Sequence, residues 1–202
     1  MLYTVVDVID HSIMKESVLD LIDNMPSKDV GVNMSNLEDD YSDLGYDYSS
    51  HISKTNWRDG IFGEEWAQIW PHFLSPADQF QVVNSIKNNY PDRDWSRGEV
   101  TESWFNQYIA ESGSDHPWHH HSDGERKPGE KNPSIHLANI YYVELPDKSL
   151  TTILKDPETG KEIIPDVKEG QILTFASDIL HRAPRNFSNS RKTAIAFNIM
   201  FD

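Results

Sequence analysis

The sequence predicts a mainly β chain with helices confined to its N-terminal part. From about residue 101 onward, short β-rich runs alternate with Gly, Pro, Asp and Asn, the pattern of an antiparallel sandwich or barrel. Before that point apolar residues recur at helical spacing. Helices first and strands after place helices on the outside of one β core. No internal repeat or low-complexity linker divides the 202 residues, a length that fits one domain. The expected organisation is a single domain over 1–202, with a helical N-terminal part at 1–100 and the β core at 101–202.

Each element has its own signal. Residues 2–8, LYTVVDV, read as a short strand. Residues 12–24 carry Ile13, Val18, Leu19 and Ile22 at a loose helical period, with Ser12 in the capping position. The segment 26–48 is polar and acidic, with Asp39, Asp40 and Asp43, and reads as a solvated connection or as a lid. Helices are predicted at 63–73 and 76–90. The second has Ser75 as its cap, Pro76 just inside its start, and an apolar face of Phe80, Val82, Val83 and Ile86. Strands are predicted at 102–110, 118–121, 135–145, 149–155, 162–164, 171–176, 180–183 and 192–201. Between two of them, Asp123–Pro133 (DGERKPGEKNP) is charged and turn-rich, a loop at the mouth of the core.

Composition excludes several function classes. A net charge of -15 repels phosphate backbones and anionic membranes, so neither nucleic acid nor a lipid surface is an expected partner. The absence of cysteine excludes disulfides, thiolate metal sites and a cysteine nucleophile. The start, MLYTVVDVIDHS, has no basic region and an apolar run broken by Asp7 and Asp10, unlike a signal peptide. No apolar run approaches the ~20 residues that span a bilayer. A cytoplasmic protein acting on a small molecule or peptide is expected.

The chemistry concentrates in Gly113–Glu125, GSDHPWHHHSDGE, which holds His116, His119, His120 and His121 among the nine histidines of the chain. Strand alternation puts 119, 121 and 123 on one face and 116, 118 and 120 on the other. His119, His121 and Asp123 then point together, and two imidazoles with one carboxylate suit non-haem Fe(II). This parity sets His116 and His120 aside. A further histidine, His181, follows the apolar strand QILTF and the turn residues Ser177 and Asp178. Ten residues later Arg191 opens a strand with Thr193, Ile195, Phe197 and Ile199 on the same face. A guanidinium facing into a small barrel requires an anionic partner, and a carboxylate ligand suits it in bidentate geometry, with the Thr193 hydroxyl as a second donor.

The order of these residues resembles the iron(II)/2-oxoglutarate-dependent dioxygenases of the double-stranded β-helix, or jelly-roll, fold. WFNQY (104–108), WHHH (118–121), IYYVELP (140–146), EGQILTFASDILHRAPRN (169–186) and RKTAIAFN (191–198) carry the resemblance over roughly 101–202, with a weaker echo in ISKTNW (52–57). It implies Fe(II) as cofactor and 2-oxoglutarate as cosubstrate, converted with O2 to succinate and CO2 while a substrate is hydroxylated. Under the WHxH pattern the metal ligands are His119, His121 and His181. Under the commoner HxD pattern they are His121, Asp123 and His181. Arg191 and Thr193 would hold the cosubstrate's distal carboxylate, and Asn106, Tyr108 and Tyr142 would line the pocket. Gly113-x5-His119-x-His121-x3-Glu125 also resembles the cupins, which share the jelly roll and imply a metalloprotein without 2-oxoglutarate. A jelly-roll binding module without catalysis is the remaining alternative.

Overall fold

The computed structural model describes residues 2–25, 52–56, 66, 75–87, 98–121 and 135–201. In chain order the elements are β1 (Tyr3–Asp7), α1 (His11–Asn24), β2 (Lys54–Thr55), α2 (Pro76–Lys87), β3 (Glu99–Tyr108), β4 (His116–His119), β5 (Ile135–Glu144), β6 (Ile153–Lys155), β7 (Glu162–Ile163), β8 (Gln171–Ala176), β9 (His181–Ala183) and β10 (Lys192–Phe201). They form a six-stranded sheet, β1-β8-β5-β10-β3-β2, and a four-stranded sheet, β4-β9-β6-β7. Every strand pair is antiparallel. This is the mainly β jelly roll with N-terminal helices that the sequence leads one to expect.

The larger sheet is covered on both faces, so its central strands are apolar throughout rather than alternating. Its outer face, with Phe105, Leu137, Tyr141, Val143, Ile172, Ile195, Phe197, Ile199 and Phe201, packs against Val18, Leu19 and Ile22 of α1, Val82 and Ile86 of α2, and Trp66. Its inner face contributes Ala138, Tyr142, Leu173 and Phe175 to a second core with Leu150, Leu154, Val167 and Ile179. Burying a Leu, Ile or Phe side chain in either layer contributes about 1.5–3 kcal/mol. Asn139 crosses the same strand layer fully satisfied: it accepts from Thr174 Oγ1 at 2.8 Å and donates to the Phe197 carbonyl at 3.2 Å.

α2 starts where the sequence indicates. The Asp78 N–H donates to Ser75 Oγ at 3.2 Å and the Asp78 carboxylate accepts from Ser75 N at 3.2 Å, a reciprocal cap. The same carboxylate accepts from Ile9 N at 2.8 Å, tying α2 to the turn before α1. Three expectations change. The cap residue of α1 is Asp10, not Ser12. Phe80 is 66% exposed, because the buried face of α2 runs through Asp78, Val82 and Ile86. The strand expected over 149–155 is split: the Asp147 side chain accepts from Ser149 N at 2.8 Å and turns the chain into a 3-10 helix at Lys148–Leu150 ahead of β6.

The acidic segment 26–48 and the loop Asp123–Pro133 lie outside the described residues, as does the helix expected at 63–73 apart from Trp66. Among the described residues no helix is long and apolar enough to cross a membrane.

Candidate metal centre

The two sheets enclose a cleft of about 490 Å³, counting the solvent at its mouth. Its walls come from the inner faces of β3, β5 and β10 on one side and from β4 and β9 on the other. Along β10 the residues facing it are Lys192, Ala194, Ala196 and Asn198, and the two alanines leave the space that the larger side chains of the opposite face would fill.

His119, His121 and His181 meet in this cleft, with one ring nitrogen from each lying within 4.8 Å of the others. Pairing across β4 and β9 brings His119 directly opposite His181, with ring centroids 4.2 Å apart. His121 lies 5.0 Å from His181 and stacks on Trp104 at 5.3 Å. The His121 backbone N–H donates to the Ser177 carbonyl at 2.8 Å, which anchors the chain just beyond β4.

The donor chemistry suits a divalent metal ion. His119 Nδ1 donates to the Pro117 carbonyl at 2.8 Å and His181 Nδ1 to the Ile179 carbonyl at 2.9 Å. A carbonyl accepts only from a protonated nitrogen, so Nε2 of each ring carries the lone pair a metal requires. Burial holds His119 down to about 4 and His121 down to about 3, the neighbouring His119 and His120 adding to the effect on His121. Burial likewise holds His181 well below the usual imidazole range. All three are neutral at pH 7, the form that ligates. The outer partner of His121 is Asn198, whose Nδ2 lies 3.2 Å from His121 Nδ1 and 3.2 Å from Glu102 Oε2. Asn198 Oδ1 is buried without a partner. With its amide nitrogen held by Glu102, Asn198 presents a donor to His121 Nδ1.

The buried cation of the cleft is Lys192, at 2% exposure. Its Nζ donates to the Leu150 carbonyl at 2.7 Å and sits 4.9 Å from the Tyr108 ring centroid and 5.6 Å from that of Tyr142. Among the described residues no carboxylate lines the cleft or pairs with this ammonium. Burial lowers Lys192 to about 7.

Arg191 and Thr193, the expected carboxylate anchors, face the other way. Arg191 Nε donates to Glu144 at 2.8 Å and its Nη1 to Asp23 at the end of α1, also at 2.8 Å. Thr193 Oγ1 donates to the same Glu144 carboxylate. The expected inward face of β10 is therefore the helix-covered face. The inward arginine required an anion, and here Glu144 and Asp23 are that anion.

Of the expected pocket residues, Asn106 and Tyr108 line the cleft. Tyr142 lies beneath Lys192, and its phenol accepts from Thr152 N at 3.1 Å. Asp123 and Glu125 are outside the described residues. His116, set aside by strand parity, is in the cleft. His116 opposes Ala183 and His119 opposes His181, so three steps along β4 match two along β9. This bulge breaks the alternation, and His116 stacks on His119 with centroids 3.8 Å apart. Trp118 turns outward, under Arg182 at 5.0 Å and Lys155 at 5.8 Å. Lys192, His116 and Asn198 escaped the sequence reading. The one available signal was the pair Ala194 and Ala196, small residues alternating along an otherwise bulky strand.

No protein-family model and no curated protein matches the sequence. Solved structures do match. A viral collagen prolyl hydroxylase from Paramecium bursaria Chlorella virus-1, solved as a 2-oxoglutarate complex, aligns over 100% of this chain and 97% of its own at 15% identity and a TM-score of 0.54. A prolyl hydroxylase from Trichoplax adhaerens aligns over 98% and 82%, at 14% identity and a TM-score of 0.58. The non-haem α-ketoglutarate-dependent epimerase SnoN of nogalamycin biosynthesis aligns over 98% and 78%, at 9% identity and a TM-score of 0.62. In fold, this chain is a jelly roll of the kind found in the 2-oxoglutarate/Fe(II) oxygenases.

Proposed function

We propose that the protein is an Fe(II)/2-oxoglutarate-dependent dioxygenase that hydroxylates a small-molecule or peptide substrate in the cytoplasm. One observation carries this reading: a three-histidine cluster and a buried, carboxylate-free lysine share one cleft inside a chain of net charge -15. A metal site alone has no use for an uncompensated ammonium, whose burial is costly until an anion joins it.

In this reading His119, His121 and His181 hold the metal and Lys192 holds the distal carboxylate of 2-oxoglutarate. Bound iron supplies the centre at which O2 is activated and the cosubstrate is decarboxylated to succinate and CO2. The chain's own contribution is orientation and exclusion of water. The Pro117 and Ile179 carbonyls fix two imidazoles in the ligating tautomer, and Trp104 braces the third. Tyr108 and Tyr142 flank the ammonium with their ring faces, which offsets part of the cost of its burial without spending a carboxylate on it.

The test is an anaerobic titration of the Fe(II)-loaded protein with 2-oxoglutarate, followed by the metal-to-ligand charge-transfer absorption and, after admitting air, by succinate. Wild type and Arg191→Leu give the band. His181→Ala loses metal, and Lys192→Met retains metal but loses the band. Metal binding without any affinity for 2-oxoglutarate would instead favour a cupin-type metalloprotein. Absence of metal binding would leave a jelly-roll binding module.

A further inference from the structure

We propose that Trp118 and Arg182 are positioning residues for the metal site: stacked on the outer face of the smaller sheet, they clamp β4 to β9 and so hold His119 opposite His181. The inference rests on the three-histidine metal site read above.

The junction they span is thin. β4 has four residues and β9 three, and two residue pairs register them, one on either side of the bulge. On the inner side, His119 and His181 each give Nδ1 to a backbone carbonyl and turn the unprotonated nitrogen toward the shared site. Two acceptors facing one space make no hydrogen bond with each other. Nothing on the cleft side therefore draws the two rings together until a cation joins them.

The hold lies one residue away on each strand. Trp118 precedes His119, Arg182 follows His181, and both face outward. The Arg182 guanidinium sits 5.0 Å from the Trp118 ring centroid, and its Nη2 donates to Glu162 at 3.1 Å. The Lys155 ammonium lies 5.8 Å over the same indole. These four side chains come one from each strand of the sheet, so the bracket runs across β4, β9, β6 and β7. Arg182 Nε is buried without a hydrogen-bond partner, although 36% of the side chain is exposed. An arginine free to swing would give that N–H to water, so the indole and Glu162 fix this guanidinium in place.

Two other roles predict different results. As a bare charge, Arg182 would repel a divalent cation on the far side of its strand, and removing it would tighten metal binding. As a contact that serves the fold alone, its loss would lower stability and leave the metal unaffected.

The experiment titrates the full chain with Co(II) under anaerobic conditions. It reads affinity and the ligand-field absorption, which reports the arrangement of the ligands, and takes the urea midpoint of the metal-free protein. Trp118→Leu and Arg182→Gln should each bind Co(II) about tenfold more weakly, the lower end of what an outer-shell partner of a metal ligand contributes, with an altered absorption. Trp118→Phe and Arg182→Lys, which keep a ring and a cation, recover most of the loss. The double variant Trp118→Leu/Arg182→Gln is no weaker than either single one, because the pair acts as a unit. Unchanged Co(II) affinity and absorption, tighter binding in Arg182→Gln, or losses that add in the double variant overturn the bracket. If Trp118→Leu does not fold, Arg182→Gln and its rescue by Arg182→Lys decide between the same outcomes. If wild type itself binds no Co(II), the metal-site reading fails, and the bracket with it.

Discussion

Replacing Lys192 by methionine should stabilise the ligand-free protein while abolishing its affinity for 2-oxoglutarate. The ammonium is 2% exposed and held only by the Leu150 carbonyl and two aromatic faces. Its pKa falls from 10.5 to about 7 through burial. At 1.36 kcal/mol per pH unit, the native state carries a penalty of about 4 kcal/mol at neutral pH relative to an unfolded chain whose lysine protonates freely. The sign follows from proton counts. Between pH 7 and 10.5 the unfolded chain binds more protons, so wild-type stability rises with pH across that window; below pH 7 both states are protonated and the penalty is constant. Methionine has a similar length and no charge, so the advantage of Lys192→Met is greatest at and below pH 7 and vanishes above 10.5. After discounting lost ring contacts and imperfect repacking, about 2 kcal/mol remains, a rise of roughly 4–8 °C in Tm for a chain of this size. Calorimetry of metal-free protein at pH 6, 7 and 9 reads the stability, and anaerobic titration reads the binding. A variant less stable than wild type at pH 7, or one that binds 2-oxoglutarate within threefold of wild type, refutes the reasoning.

Three further outcomes follow from other parts of the fold. Arg191→Leu, which breaks the ties to Glu144 and Asp23, should leave cosubstrate binding intact and lower stability by roughly 1 kcal/mol, since both ion pairs are partly solvated; a lost charge-transfer band would return Arg191 to the site. Gly170→Ala should cost about 1–3 kcal/mol, because Gly170 has a φ of +81° and an added Cβ would lie 2.8 Å from His11 Cδ2, so an unchanged urea midpoint counts against the local geometry. The cluster histidines, His181 buried and His119 and His121 half-buried, should make the metal-free protein acid-sensitive. Unfolded imidazoles take a proton near 6.5, whereas His119 waits until about 4 and His121 until about 3, so stability falls as pH drops below 6.5, by on the order of 2 kcal/mol for each of these residues at pH 5. Equal denaturant midpoints at pH 7 and pH 5 would contradict the neutral histidine cluster.

The sequence by itself determined the fold class, because turn residues between short β-rich runs and a capped helix at Ser75 are local signals that no long-range contact has to supply. It also determined which histidines are candidates: His119 and His121 share a strand face, and His181 follows a buried strand into a turn. Tertiary structure decided two matters that periodicity cannot reach. β10 is buried on both faces, so its residues carry no polar alternation to say which face is the cleft. Only packing beneath α1 and α2 assigns Ile195, Phe197 and Ile199 to the helices and Lys192 to the cleft, moving the buried cation by one residue from Arg191. Likewise, strand parity excludes His116 only while β4 is regular. The register of β4 against β9, two segments about sixty residues apart, inserts the bulge that brings His116 inward. A one-residue change of phase reverses every side chain beyond it, and that phase is set by pairing partners and covering layers rather than by the strand's own residues.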